Sequence, residues 1–142
     1  MREILFKAKT KVIAGYDYNN GKDDGEWGKG YLYDDIGCWE IRQFEFSRAN
    51  YVSYEVDPET VCQYTGLTDK DGTKIWENDI VRVISEDDEL FVIHWDKDTA
   101  RYTIDSDTLS CDFDNFYSYE LEVIGNIFDN PELLEVQNGE IN

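Results

Sequence analysis

Between Tyr54 and Leu134 turn residues cut the chain into apolar runs too short for helices, and this spacing confines it to small β-structures. The punctuation is Asp57-Pro58, Asp71-Gly72, Glu77-Asn78, Asp96-Lys97-Asp98 and Asn130-Pro131. Each member has its own physical reason. Proline fixes φ and lacks the donor a central strand needs. Asp-Gly and Asn accept positive φ at low cost. Between these points side chains alternate with period two. In Leu90 to Trp95, His94 shares a face with Leu90 and Val92, while Phe91, Ile93 and Trp95 take the other. Runs at Asp79 to Val83, Ala100 to Ile104 and Leu121 to Phe128 behave alike, and Glu86 to Glu89 reads as an acidic loop. This spacing, roughly 8–12 residues per strand, predicts a small barrel over residues 63–142. After it, Asn130 as cap, Pro131 at the first position and Glu132 in the first turn predict a short C-terminal helix.

The N-terminal part, residues 1–62, predicts a β-meander. Ile4, Phe6 and Ala8 mark one strand, and Val12, Ala14 and Tyr16 a second. Glu26-Trp27 leads into Gly30 to Tyr33, and Tyr51 to Val56 forms a strand that Asp57-Pro58 ends. From Cys38 to Phe46, Trp39, Ile41 and Gln43 alternate against Glu40, Arg42 and Phe44. A chain of 142 residues with 41% apolar and 15% aromatic content buries enough surface to fold without staples. Only Tyr18 to Gly30, rich in Gly, Asn and charge, reads as a candidate for disorder.

Charge divides the chain more sharply than hydropathy does. Thirteen basic and 32 acidic residues give −19, of which residues 1–62 carry −4 (8 basic, 12 acidic) and residues 63–142 carry −15 (5 basic, 20 acidic). No Lys or Arg follows Arg101. Such a half repels nucleic acid and anionic membrane. It fits either a solubilising surface or a face for a basic protein. Cys38, Cys62 and Cys111 form no CxxC pair and are odd in number, which argues against a disulfide framework or a zinc ribbon. The opening MREILFKAKTK lacks the apolar core of a signal peptide, and Leu90 to Ile93 falls far short of the ~20 residues of a membrane span. The expectation is a protein of a reducing cytoplasm.

The chain offers isolated candidates for chemistry and no constellation. His94 is the sole histidine and has no recognisable catalytic partner. Asp69-Lys70-Asp71-Gly72 fails the calcium-loop spacing, since position six would be Lys74 and position twelve Ile80. No catalytic, cofactor-binding or metal-binding residue is assigned, and no cofactor is called for. The acidic pairs Asp96/Asp98, Asp105/Asp107 and Asp112/Asp114 keep open an alternative, a metal-dependent enzyme or factor built on a carboxylate cluster. Asp105, Asp107, Asp112 and Asp114 are the candidate acidic interaction surface. Phe113, Phe116, Tyr117 and Tyr119 have no basic residue beside them and so make no nucleic-acid platform; most of them read as core or barrel-lid residues, and the rest as a candidate aromatic interface, because Tyr anchors protein contacts. The leading expectation is a non-enzymatic interaction module for a basic partner, with self-association also open. Nucleic-acid mimicry is a sharper variant, since i, i+2 acids stand roughly 6.6 Å apart on a strand, about twice the charge spacing of one DNA strand.

Five ordered segments carry a family resemblance. They are MREILFKAK at the start, GEWGKGYLYDD at 25–35, YEVDPETVCQYTGLTDKDGTKIWENDIV at 54–81, VIHWD at 92–96 and EVIGNIFDNPELLE at 122–135. Together they resemble the YopX family of small proteins encoded by bacteriophages and prophages. The resemblance implies a mostly β fold with an SH3-like barrel in its C-terminal part and residence in a bacterial host cell. It brings no activity with it. Cys62 and Asn78 stand where the family usually has glycine, and Asn can hold the backbone conformation glycine would take there.

Overall fold

The computed structural model describes residues 3–11, 25–35, 37–84, 89–107 and 109–139. Among them the chain is mainly β, with two antiparallel sheets and one short helix. It divides into two compact units, Met1–Tyr64 and Thr65–Asn142.

The first unit contains β1 (Phe6–Lys9), β2 (Trp27–Asp35), β3 (Cys38–Glu45) and β4 (Asn50–Glu55), and β5 (Cys62–Thr68) begins in it. Their order is β4-β3-β2-β1-β5. The strands return on themselves. Thr10, just past β1, bridges Val56, just past β4. The Lys11 N–H donates to the Glu55 carbonyl (2.8 Å) and the Asp57 N–H to the Lys9 carbonyl (2.9 Å). Alternation places Ala8, Ile41 and Val56 in the core, with Phe6, Leu32, Trp39 and Val61 packed around them. Asp57-Pro58 turns the chain as expected, through a 3-10 turn over Pro58–Thr60 in which the Asp57 carboxylate accepts from the Glu59 N–H. The strand expected at Val12, Ala14 and Tyr16 lies outside the described residues, as do residues 18–24. The rest of the stretch that read as a candidate for disorder includes the start of β2.

In the second unit the end of β5 runs beside β6 (Lys74–Trp76), where the Thr65 hydroxyl donates to the Ile75 carbonyl (2.7 Å). Then come β7 (Asp79–Val83), β8 (Glu89–Asp96), β9 (Arg101–Asp105), β10 (Ser110–Asp112) and β11 (Leu121–Asn126), in the order β10-β9-β8-β7-β11. Counted from β1 and from β7, the five strands of the two units share one order, and in each a 3-10 turn precedes the fifth strand. The second sheet is not a closed barrel, because β10 and β11 are its edges. Turn spacing specifies a meander. Closure depends on strand tilt and stagger, which spacing does not encode. The acidic loop expected at Glu86 to Glu89 lies largely outside the described residues. Ile75, Val81, Val83, Phe91, Ile93, Ile104, Phe113 and Leu121 make the core.

Two turns of this unit depend on single side chains. Asp69 is 4% exposed and closes the β5–β6 connection. Its carboxylate accepts from the Asp71, Thr73 and Val123 N–H groups, each at 2.9 Å, the last tying the turn to β11. Asn78 has φ 71°, the left-handed conformation expected of it. Beside it the buried Asp79 carboxylate accepts from the Trp76 N–H (2.8 Å). Asn78→Gly should leave stability unchanged within a few tenths of a kcal/mol, and Asn78→Ala should cost about 1 kcal/mol, read by urea denaturation.

The C-terminal helix is α1 (Glu132–Gly139). Asn130 caps it differently from expectation. Its backbone carbonyl accepts from Leu133 (3.2 Å), while its side chain turns back to accept from the Asn126 N–H (3.3 Å) and lies over Gly125. A Cβ at Gly125 would meet that side-chain oxygen at 2.5 Å, so a glycine two residues past Val123 makes room for the turn.

Candidate functional site

The acidic candidates of the second unit serve two different purposes. Asp105, at the end of β9, accepts from the Ser110 hydroxyl (2.6 Å) and the Thr103 hydroxyl (3.2 Å). Asp112, at the end of β10, accepts from Nε and Nη1 of Arg101, one on each carboxylate oxygen, at 3.1 and 3.2 Å. These two carboxylates hold the β9–β10 hairpin together. Asp107 and Asp114 are exposed. The neighbouring pair divides likewise. Asp96 organises its turn by accepting from the Thr99 hydroxyl (2.8 Å) and the Asp98 N–H (3.0 Å), which hold its carboxyl below the usual range. Asp98 points to solvent.

The cations of this unit are largely consumed inside it. Glu122 binds both Lys70 (3.0 Å) and Arg82 (2.9 Å), the latter its direct partner across β11 and β7. The Lys70 bond, followed by the charge of Arg82, lowers the Glu122 carboxyl, while burial opposes the shift. Lys70 is raised in turn by Glu122 and Asp71. Lys70, Arg82 and Arg101, of the five basic residues after Cys62, are thus engaged in ion pairs within the unit.

The four aromatic candidates separate completely. Phe113 is 5% exposed and belongs to the core, where it offers no surface for a partner. Phe116 packs against that core. Tyr117 and Tyr119 are 66% and 69% exposed and stack on each other, with centroids 5.4 Å apart and planes 6° from parallel. The 3-10 turn over Ser118–Glu120 fixes this pair, since the Glu120 carboxylate accepts from the Tyr117 N–H (3.2 Å). A shallow pocket lined by Leu67, Arg101, Tyr102, Phe113 and Asp114 lies in the same unit.

His94 is exposed on β8, opposite Thr103. Among the described residues no three His, Cys, Asp or Glu groups gather into a metal-holding cluster. Cys62 is buried, Cys111 half-buried and Cys38 exposed, and none of the three is in a disulfide.

The first unit holds a surface that the sequence reading did not single out. On β3, Ile41 faces the core while Glu40, Arg42 and Phe44 face outward. Register brings Tyr31 and Ser53 beside Arg42, Tyr33 beside Glu40, and Tyr51 beside Phe44. The outer face of β2-β3-β4 thus carries a continuous aromatic ladder. Tyr31 contacts Tyr51 (6.4 Å), Tyr51 contacts Phe44 (5.3 Å) and Phe44 contacts Phe46 (4.9 Å, edge to face). Arg42 lies over the Tyr33 ring at 5.3 Å. All five rings are exposed, from 39% at Phe44 to 88% at Phe46. Gly30 lets the ladder form. A Cβ there would stand 2.1 Å from the Arg42 carbonyl oxygen, so only glycine lets β2 approach β3 this closely. A signal was present, since Tyr31/Tyr33 and Phe44/Phe46 alternate in step, but Leu32, Trp39 and Ile41 alternate on the opposite face and periodicity does not rank the two sets.

Set beside known proteins, the chain matches a family model described as YopX protein over residues 18–135. It belongs to that family. No curated protein matches it.

Proposed function

We propose that this YopX-family protein is a non-enzymatic interaction module whose acidic second unit binds a basic protein in the cytoplasm of a bacterial host. The observation that carries the reading is the stacked Tyr117–Tyr119 pair, two-thirds exposed and set among acids whose balancing cations are engaged elsewhere. Stacked tyrosines lose little entropy on binding and take Lys or Arg against their rings, and Tyr is enriched among interface anchors. Asp107 and Asp114 supply long-range attraction. Asp105 and Asp112 contribute to the fold of the hairpin instead, through Ser110 and Arg101.

The two contributions respond to different substitutions. Asp107→Asn with Asp114→Asn should slow association and flatten its salt dependence, since these charges act on approach. Tyr117→Ser with Tyr119→Ser should leave association nearly unchanged and speed dissociation about 30-fold, the loss of a ~2 kcal/mol anchor. Proteins captured from a bacterial lysate by the full chain, quantified against both variants, provide the test. The expected result is a protein of high isoelectric point lost from both. Capture that is indifferent to both pairs of substitutions contradicts the proposal and reduces the acidic surface to a solubility feature.

A further inference from the structure

We infer that the aromatic face of the first unit, Tyr31, Tyr33, Phe44, Phe46 and Tyr51, is the contact through which two copies of this chain associate. At 59, 44, 39, 88 and 50% exposure, rings that each offer ~150–250 Å² leave roughly 400–700 Å² of connected aromatic surface in water. That matches or exceeds the largest patch of an ordinary monomer, about 300–600 Å². Doubled across a twofold axis it reaches about 1,000 Å², the lower bound for a specific interface.

Charge selects a second copy as the occupant. Among the described side chains the face has two exposed cations, Lys29 and Arg42, and two half-buried anions, Glu40 and Glu55, the anions opposite each other across β3 and β4. Antiparallel apposition of two β3 strands about a twofold axis sets each Arg42 against the partner's Glu40, with Glu55 beside it, so the face is complementary to itself. It also lies in the part of the chain that carries −4 of the total −19, where two copies meet with least repulsion. Two cations matched by two anions make no basic track beside the rings, which nucleic acid calls for. The near-neutral charge gives a Lys-rich partner no reason to prefer this face over the second unit.

Self-association and capture of a basic partner answer to salt in opposite directions. Copies of like net charge repel at long range, so screening tightens the dimer while it weakens binding to a basic protein. Sedimentation velocity of the full chain over a concentration series at low and high salt reads this directly. The expected result is a monomer–dimer equilibrium that shifts toward dimer with salt. Phe46→Ser and Tyr51→Ser should each weaken it at least ~10-fold with unchanged circular dichroism. Arg42→Glu should weaken it similarly, and Glu40→Arg added to Arg42→Glu should restore it, which a misfolded variant could not do. A chain that stays monomeric at every concentration and salt, or a dimer indifferent to these substitutions, overturns the inference.

Discussion

Replacing Asp69 with alanine should remove about 3–5 kcal/mol of stability and unfold the second unit at a temperature where the native chain is folded. Three backbone donors, those of Asp71, Thr73 and Val123, converge on this one carboxylate. Each would lose its partner in a site only 4% exposed, at about 1–3 kcal/mol apiece before water repairs part of the damage. Asp69→Asn should cost about 2 kcal/mol, because an amide oxygen replaces one acceptor and the amide nitrogen turns a donor toward the N–H that the other served. The pH dependence carries the same signature. Burial alone would raise this carboxyl, but the bonds from Val123, Asp71 and Thr73 and the charge of Lys70 outweigh it and hold the group below its ordinary value. A carboxylate lowered in the folded state stabilises it fully above the unfolded pKa, near 4, and loses that contribution as pH falls through the folded value. Urea denaturation of native and Asp69→Ala chains should therefore converge as pH drops below about 4. A loss under ~1 kcal/mol at neutral pH contradicts this role.

The second large effect belongs to Gly30. Its φ is not in the left-handed region, so the constraint is space alone. An added Cβ would meet the Arg42 carbonyl oxygen at 2.1 Å and its carbon at 2.9 Å, and both are backbone atoms of a paired strand. No side chain can swing aside. Gly30→Ala should cost about 3 kcal/mol or more, since β3 must move bodily away from β2. The same movement would shear the register that sets Tyr31 beside Arg42 and Phe44 beside Tyr51, so self-association should fall with stability. By contrast Gly28, whose Cβ would meet Ile41 side-chain atoms at an ordinary 3.7 Å, should accept alanine at below ~1 kcal/mol. Paired denaturation curves of the two variants decide the matter, and equal costs at both positions would refute the steric explanation.

Much of the fold was legible because local chemistry specified it. Asn78 and Asp71-Gly72 marked turns that only positive φ allows, and the structure gives Asn78 and Gly72 φ of 71° and 84°. The alternation in β8 assigned Phe91 and Ile93 inward and His94 outward. What stayed hidden depended on distance or context. The Asp69–Val123 bond spans 54 residues, so nothing near Asp69 hints that its carboxylate holds β11. Ala49 and Ala100 sit at φ 50° and 55°, which no propensity would suggest. Nothing local says which of Phe113, Phe116, Tyr117 and Tyr119 are core; a 3-10 turn rotates Phe113 into it while Asp114 stays out. The ladder of the first unit was missed for a complementary reason. Tyr31, Phe44 and Tyr51 are as apolar as Leu32, Ile41 and Tyr54 behind them, and only register reveals which set faces water.

Binding by charge and stacked rings on the second unit is tested most directly by association kinetics. The captured basic protein would be passed over the immobilised full chain at low and at physiological salt. The native chain and the variants at Asp107 with Asp114 and at Tyr117 with Tyr119 would be compared. An association rate that falls with salt and with loss of the two aspartates, beside a dissociation rate that rises only with loss of the tyrosines, is the expected result. Rates unchanged by salt and by all four substitutions would contradict it and assign the contact to another face of the protein.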